Sequence, residues 1–505
     1  MYKRNKQTKP RHDYCADRKG SAQSTGRYRG LKSVEGSTAL IHYSSITEVA
    51  GLIEARALSP VELTQLLLDR IASLDDSLHS YATVMAESAA EAAATAEREI
   101  LAGNYRGPLH GVPVAVKDLC YTKGVPTMGG LAVLADFAPE FDATVVARLR
   151  EAGAVLLGKL NLTEGAFGGY HRDFAIPVNP WNADWWPGAS SSGSGVATAA
   201  GLCYASLGSD TGGSIRFPSL ANGIVGLKPT YGRVSRHGVL ALADSLDHVG
   251  PMTRRSADAA IVFEAIAGFD ERESSSLPDP VLSMAGELAK GVRGVVIGYD
   301  QHYATEMVDP ELVAAIGQAL ADLEREGAVV REIDLPAFTD ELSDAWFKIC
   351  AKEACTAHRA NFPLRADEYG AFFRGILEMG SSVSDAEYAA ATQLRNDFSS
   401  AFTAALATVD ALASPAGGKT FALEREQQYG NADDLQELFD NIQMQFTVPA
   451  DFAGIPAISL PCGVSREGFP LTIQFMGKHL SEAMLCRIGH AYEEITEWHM
   501  RHPPV

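Results

Sequence analysis

The spacing of apolar residues predicts alternating helices and strands over residues 42–500 of this 505-residue chain. Leucine and isoleucine recur at helical spacing over 63–74, behind Ser59 and Glu62, which have the spacing of a capping box. An alanine-rich segment at 86–101 predicts a further helix. The amino-terminal part of the predicted domain therefore begins with helices.

Short β-branched runs between the later helices predict buried strands. One such run covers 112–118, and a second covers 154–157 after a predicted capped helix at 142–152. The same order of strand, helix and strand recurs at 292–299, 309–327 and 328–335. This alternation is typical of α/β proteins whose sheet is buried beneath helices. We therefore predict one large α/β domain over 41–505.

Two regions depart from this alternation. Residues 341–407 are predicted to be mostly helical, which suits a cap or lid over the sheet. Residues 1–40 hold ten basic and three acidic side chains, a local charge of +7, and no apolar segment of the kind found in signal peptides. We interpret them as a disordered tail. An arm that binds nucleic acid or an anionic surface is the alternative.

Composition narrows the classes of partner. The chain has 43 basic and 63 acidic residues, a net charge of −20, which argues against nucleic acid as a main partner. The longest uncharged stretch, 185–209, is interrupted by Pro187 and by glycine and serine, so no membrane span is predicted. Seven cysteines without a Cys-x-x-Cys pair indicate reduced thiols rather than disulfides or zinc ligands. We expect a cytoplasmic protein.

Two partial matches to nucleotide-binding motifs fail. Residues 153–159 have the spacing of a phosphate-binding loop, but Leu160 stands where a serine or threonine would hold magnesium. Gly193 and Gly195 lack the third glycine of a dinucleotide fingerprint, because Thr198 occupies that position. The chain also has no Gly-x-Ser-x-Gly elbow in its serine-rich stretch. The sequence therefore predicts no nucleotide site and no α/β-hydrolase elbow.

The densest candidate chemistry lies in two Gly/Ser loops within 187–218, joined by small residues that permit close packing. Gly212 and Gly213 precede Ser214, so bare main-chain N–H groups can approach a carbonyl beside a nucleophilic hydroxyl. Lys117 follows an apolar strand, where burial would lower its pKa enough for it to act as a base. A purely structural interpretation stays open. Gly/Ser loops are often only turns, and Lys117 can form an ion pair with Asp118.

These residues closely resemble the amidase signature family. The resemblance covers about 45–503 and rests on several segments, namely 111–118, the two Gly/Ser loops, 226–235, 245–251, 446–463, Ile473-Gln474 and 491–493. It implies the amidase signature fold, a single domain with a mixed, mostly buried central sheet covered by helices on both sides.

The resemblance also implies the site residues. Ser214 matches the nucleophile, Ser190 the bridging serine that follows a cis peptide bond, and Lys117 the terminal base. The main-chain N–H groups of Thr211, Gly212, Gly213 and Ser214 match the oxyanion hole. No metal or organic cofactor is implied. Ala189 and Ser192 stand where the family often has glycine, which would strain the first loop if those positions needed positive φ.

The implied activity is hydrolysis of a small carboxylic amide by a stand-alone enzyme through an acyl-enzyme on Ser214. The alternatives are the glutamine-hydrolysing subunit of a tRNA-dependent amidotransferase, an ester or carbamate hydrolase with the same triad, and an inactive binding protein. The subunit commonly has glutamine where this chain has Phe217. Segments 121–137, 170–171 and 443–452 are candidate pocket walls. The sequence does not decide between a monomer and a homodimer.

Overall fold

The computed structural model describes residues 40–505, and the predicted tail lies outside them apart from Leu40. Eleven strands within this range form one sheet. They are β1 (Tyr81–Val84), β2 (Pro113–Lys117), β3 (Val155–Leu160), β4 (Ala205–Asp210), β5 (Val225–Lys228), β6 (His248–Thr253), β7 (Val296–Tyr299), β8 (Val329–Glu332), β9 (Ala411–Pro415), β10 (Ala457–Val464) and β11 (Pro470–Gly477).

Sixteen α-helices accompany the sheet within residues 40–505. They are α1 (Ile46–Glu54), α2 (Pro60–Leu78), α3 (Ala86–Leu101), α4 (Thr144–Glu151), α5 (Ser192–Ala199), α6 (Arg216–Asn222), α7 (Ser256–Ile266), α8 (Met284–Leu288), α9 (Gln301–Thr305), α10 (Pro310–Arg325), α11 (Asp340–Ala357), α12 (Ala371–Ser382), α13 (Asp385–Leu406), α14 (Gln436–Ile442), α15 (Val448–Phe452) and α16 (Glu482–Glu494). The predicted helical region at 341–407 contains α11, α12 and α13.

The sheet is mixed, with the strand order β1-β3-β2-β4-β6-β5-β10-β11-β9-β7-β8. β2 runs parallel to β3 and β4, and β7 runs parallel to β8 and β9, whereas the other pairs are antiparallel. Every residue of β2 and β4 is buried. Because successive residues of a strand face opposite sides, both faces of the sheet centre are covered. The predicted α/β fold is confirmed.

Two predicted helix starts differ in detail. The Ser59 hydroxyl accepts hydrogen bonds from the first turn of α2, but the exposed Glu62 does not complete the predicted capping box. A complete capping box occurs instead at the start of α1, between Ser45 and Glu48. The predicted cap of α4 is wrong, because Asp142 accepts the N–H of Lys123 and the helix begins after Ala143 without a side-chain cap.

The described cysteines match the expectation of reduced thiols. Six of the seven lie within residues 40–505, and all six are free. None of the helices in that range combines the length and the apolar character that crossing a bilayer requires.

Candidate active site

Strand order places the first candidate residues at one edge of the sheet. Lys117 is the last residue of β2 and Asp210 the last residue of β4. β2 and β4 are parallel neighbours, with Val116 opposite Leu207. Because the carboxyl ends of parallel strands meet at the same edge, Lys117 lies beside the end of β4 and the loop that follows it.

The two Gly/Ser loops lead into α5 and α6, which pack against each other. A Cβ at Gly195 of α5 would lie 2.6 Å from Asn222 Nδ2 of α6, and a Cβ at Gly188 would overlap Pro218. Gly188 also has φ +85°, so it needs the conformational freedom of glycine. These small residues bring the loops together, as predicted from the sequence.

The first loop carries the expected backbone feature. The peptide bond between Ala189 and Ser190 is cis. Neither Ala189 nor Ser192 is among the described residues with positive φ. The two departures from glycine in this loop are therefore accommodated without left-handed backbone.

Lys117 is fully buried and surrounded by hydroxyl groups. Its Nζ lies 2.7 Å from Ser190 Oγ, 2.9 Å from Ser191 Oγ and 2.8 Å from Ser209 Oγ. Burial lowers the pKa of Lys117 to about 7, against the opposing influence of acidic groups that include Asp210. The amine is therefore uncharged in a large fraction of molecules at neutral pH.

The alternative interpretation of the sequence, an ion pair between Lys117 and Asp118, does not occur in the structure. Asp118 Oδ1 instead lies 3.0 Å from Lys159 Nζ, and both side chains are buried. Asp118 also accepts the N–H of Met128 at 3.0 Å. The Asp118 carboxylate therefore binds Lys159 and the main chain of a loop, and the Lys117 amine has hydroxyl groups as its hydrogen-bond partners.

The hydrogen-bond pattern distinguishes the three hydroxyls. A neutral amine offers two hydrogens and one lone pair, so one of its neighbours must donate to it. Ser191 Oγ donates to the carbonyl of Ser209 at 3.2 Å, so its hydrogen is already used. The hydroxyls of Ser190 and Ser209 make no other side-chain hydrogen bond within residues 40–505. Of the first-loop serines, Ser190 is therefore the one free to donate to Lys117.

Sequence reasoning missed Ser209. Its position near the carboxyl end of β4 is the signal that would have found it, because β4 pairs in parallel with the strand that carries Lys117.

Ser214 is half-buried and lines a cavity. Its carbonyl accepts the N–H of Ser191 at 3.3 Å, which joins the second loop to the first. Over residues 40–505, the Ser214 hydroxyl makes no hydrogen bond. The structure therefore brings Lys117 and Ser190 into contact, but no hydrogen bond joins Ser190 to Ser214. Catalytic hydrogen bonds often tighten only when substrate is bound.

The carbonyl groups of the second loop are all occupied by donors from the protein. The Thr211 carbonyl accepts Trp346 Nε1 at 2.9 Å, and the Gly212 carbonyl accepts Thr447 Oγ1 at 2.7 Å. The Gly213 carbonyl accepts the N–H of Phe217 at 2.7 Å. These bonds fix the orientation of each peptide in the loop.

One of the predicted oxyanion donors is committed elsewhere. The N–H of Gly213 donates to Asp210 Oδ1 at 2.6 Å in this structure, and its part in the oxyanion hole stays a prediction. The Asp210 carboxylate lies directly beneath the loop and therefore competes with a substrate oxyanion for the Gly213 N–H. The N–H groups of Thr211, Gly212 and Ser214 make no hydrogen bond within the described chain. They remain the available donors.

A buried charge network supports the loop from below. Arg216 Nη2 lies 2.9 Å from Asp210 Oδ1 and 2.7 Å from Asp451 Oδ2. Burial would raise the pKa of the Asp210 carboxyl, but the guanidinium of Arg216 holds it well below its usual range. The ionised Asp210 also accepts the N–H of Ile215 at 3.0 Å. Asp210 and Arg216 therefore brace the loop, as expected.

The cavity beside Ser214 is small, with a volume of about 40 Å³. Its polar lining comes from Thr211, Gly212 and Ser214. The remaining wall is apolar or aromatic: Ala166, Phe167, Gly168, Trp186, Ala189, Phe217, Leu242, Trp346, Leu438, Phe439, Ile442 and Met444. No charged side chain among the described residues lines it. The lining therefore suits a small apolar group attached to a carbonyl.

Only one of the three predicted wall segments contributes to this cavity, namely 443–452 through Met444. Tyr121 packs against Phe137 at 5.3 Å between ring centroids instead. The Tyr170 hydroxyl donates to Ser192 Oγ at 2.7 Å and braces the first loop. The segments that contain these two tyrosines do not line this cavity, and their place in the substrate pocket stays a prediction.

Comparison with known proteins identifies the family. The Amidase family model matches residues 62–486. The chain belongs to the amidase signature family. It is 45% identical to the "Putative amidase AmiD" of Mycobacterium tuberculosis over 91% of this chain and 96% of that protein. It is an amidase, a hydrolase that acts on linear amide C–N bonds.

Two further similarities bear on this amidase. It is 37% identical to a glutamyl-tRNA(Gln) amidotransferase subunit from Geobacter sp., over 91% of this chain and 99% of that protein. The crystal structure of the native peptide amidase from Stenotrophomonas maltophilia superimposes with a TM-score of 0.80 at 32% identity, covering 92% of this chain and 98% of that one. The fold is therefore that of amidase signature enzymes.

Proposed function

We propose that this amidase hydrolyses small carboxylic amides through an acyl-enzyme on Ser214, with Ser190 as the bridging hydroxyl and Lys117 as the base. The observation that carries the proposal is the contact of 2.7 Å between the buried Lys117 amine and Ser190 Oγ. An amine whose pKa burial has lowered to about 7 can accept a proton at neutral pH.

The proton path follows from this arrangement. Lys117 Nζ accepts the hydroxyl proton of Ser190, Ser190 Oγ accepts the proton of Ser214, and Ser214 Oγ forms a bond to the amide carbonyl carbon. The oxyanion is stabilised by main-chain donors from Thr211, Gly212 and Ser214, where removing one important donor costs about 2.7–4 kcal/mol. The relay then returns the proton to the leaving nitrogen, and the C–N bond breaks.

Deacylation reverses the same relay. A water molecule gives its proton through Ser190 to Lys117 and attacks the ester carbon of acylated Ser214. The ester C–O bond breaks, Ser214 regains its proton, and the carboxylic acid leaves. The path needs no metal or organic cofactor.

The cavity supports a substrate with an apolar acyl group. Phe217 is part of the cavity wall, as are Trp186 and Phe439, and no charged group among the described residues offers a partner there to a polar acyl chain. Burial of apolar surface contributes roughly 25 cal/mol per Å². We therefore expect kcat/KM to rise from acetyl to butyryl and benzoyl amides, with the wall side chains moving apart to admit groups larger than the free space of about 40 Å³.

The test is amide hydrolysis by the purified protein alone. Anilides of acetic, butyric and benzoic acid are compared, with release of the aniline as the readout. Turnover without any added protein, increasing with acyl size, supports the proposal. No turnover of any anilide or primary amide, under conditions where the protein is folded, would overturn it.

The amidotransferase component is the second candidate, because of the similarity to the Geobacter protein. Its substrate amide, glutamine, has a charged acyl portion, whereas Phe217 lies in the apolar wall here. Glutamine hydrolysis that requires added amidotransferase subunits, together with inactivity toward anilides, would favour that candidate. Hydrolysis of matched esters or carbamates faster than the anilides would favour an ester or carbamate hydrolase.

Three expectations from the sequence stay predictions. They are the cytoplasmic location, the absence of nucleic-acid partners, and an oligomeric state that is either a monomer or a homodimer.

A further inference from the structure

Trp346 connects a helix outside the Gly/Ser loops to the main chain that precedes Ser214. It lies on α11 and is almost completely buried. Its indole Nε1–H donates to the Thr211 carbonyl at 2.9 Å, across 135 positions of sequence. The ring also covers Gly212, where a Cβ would collide with the six-membered ring of the indole. The lack of a side chain at Gly212 therefore serves two purposes: it leaves the main chain accessible to a substrate carbonyl, and it makes room for the indole ring.

The hydrogen bond from Trp346 orients a particular peptide. The bond between Thr211 and Gly212 is trans, so its C=O and N–H point in opposite directions. With the carbonyl held by the indole, the Gly212 N–H is held on the other side of the peptide. That N–H makes no hydrogen bond within residues 40–505, in contrast to the Gly213 N–H, which Asp210 occupies. Trp346 thus sets the direction of a free donor two residues before Ser214.

A second path leads from α11 to the same residue. Glu353 of α11 accepts the N–H of Ser245 at 2.8 Å and its hydroxyl at 2.7 Å. Two positions further on, Asp247 accepts the Thr211 hydroxyl at 2.6 Å. The helix therefore holds Thr211 directly through its carbonyl and indirectly through its side chain.

We propose that Trp346 is a positioning residue for catalysis, which orients the Thr211–Gly212 peptide as an oxyanion donor. The proposal rests on the proposed acyl-enzyme mechanism at Ser214. It assigns α11 a function in the site, because a helix outside the Gly/Ser loops fixes an element of the oxyanion hole. Trp346 also lines the cavity, so the test must separate orientation of the donor from the shape of the wall.

The test compares the wild type with Trp346→Phe on anilides of acetic, butyric and benzoic acid. Phenylalanine keeps an aromatic ring but has no N–H. Removing an oxyanion donor outright costs about 100- to 1,000-fold in kcat, so misorienting one is expected to cost roughly tenfold or more. Because every acyl group forms the same oxyanion, kcat should fall by a similar factor for all three anilides, with little change in KM.

A transition-state mimic gives an independent readout. Phenylboronic acid forms a tetrahedral adduct on a nucleophilic serine and places an oxygen in the oxyanion site. Its affinity for Trp346→Phe should fall in parallel with kcat. Replacement of Trp346 by benzothienylalanine, which keeps the bicyclic shape and lacks only the N–H, should reproduce both losses. This second variant decides the matter if Trp346→Phe fails to fold.

Ile349→Val is the matched control, because Ile349 is buried on the same helix and makes no polar contact with the loop. It should retain wild-type kcat. A loss confined to the benzoyl anilide, a loss seen only in KM, or unchanged inhibition by phenylboronic acid would overturn the proposal. Ser214→Ala, assayed in parallel, tests the underlying mechanism separately, since its retained activity would refute the acyl-enzyme whatever Trp346 does.

Discussion

For a single residue, the proposed mechanism depends on an amine that has no carboxylate partner within residues 40–505. Lys117 is enclosed by three hydroxyl groups, while its sequence neighbour Asp118 pairs with Lys159. A carboxylate beside Lys117 would have stabilised the ammonium form and raised its pKa. Hydroxyls can both donate and accept, so they satisfy the neutral amine without forcing it to keep its proton.

The protonation of Lys117 predicts an acid limb in the rate profile. Burial lowers its pKa to about 7, and the ammonium form cannot act as a base. For a neutral anilide, kcat/KM should therefore fall about tenfold per pH unit below about pH 7 and level off above it. The measurement is kcat/KM between about pH 5 and 9 at constant ionic strength. A flat profile below pH 7 would contradict this role of Lys117.

The two adjacent serines should differ in their contribution. Ser190 donates to Lys117 in the proposed relay, whereas the Ser191 hydrogen is committed to the Ser209 carbonyl. Ser190→Ala should therefore lower kcat by orders of magnitude, and Ser191→Ala should lower it less. Steady-state kinetics of the two variants, after circular dichroism confirms that both are folded, provides the comparison. A larger loss in Ser191→Ala would exchange the two roles.

At the scale of elements, glycine marks where backbones touch. α11 and α12 pack closely, and Gly380 of α12 leaves no space for a side chain, because a Cβ would overlap the Ala351 carbonyl of α11. Gly375 on the same helix is exposed, and a Cβ there would meet nothing within 4 Å. The region that the sequence predicts only as helical is thus packed tightly around the helix that carries Trp346.

These two glycines give a matched pair of substitutions in one helix. Gly375→Ala should raise the free energy of unfolding by about 0.5–1 kcal/mol, because alanine loses less backbone entropy in a helix. Gly380→Ala should lower it by about 1–3 kcal/mol through overpacking. Thermal unfolding midpoints of both variants test the opposite signs. If Gly380→Ala proved at least as stable as Gly375→Ala, the close approach of α11 and α12 would be refuted.

At the scale of the whole molecule, the sequence predicted what local patterns encode. The runs at 112–118 and 154–157 became β2 and β3, and the Gly/Ser loops met because small residues let α5 pack on α6. The contacts it missed join distant parts of the chain. Trp346 contacts Thr211 across 135 positions of sequence, and no local spacing of residues predicts such a pair. Local pattern also could not show that Asp210 occupies the Gly213 N–H, since that depends on the conformation of the loop.

The proposed mechanism requires that Ser214 becomes acylated during turnover. The most direct measurement is to quench the enzyme with acid while it turns over the p-nitrophenyl ester of benzoic acid, then digest it and locate the added benzoyl mass by mass spectrometry. Acylation of Ser214 predicts the benzoyl group on the peptide that contains Ser214, and neither adduct nor turnover in Ser214→Ala. A benzoyl group on another residue, or near-normal turnover by Ser214→Ala, would contradict it.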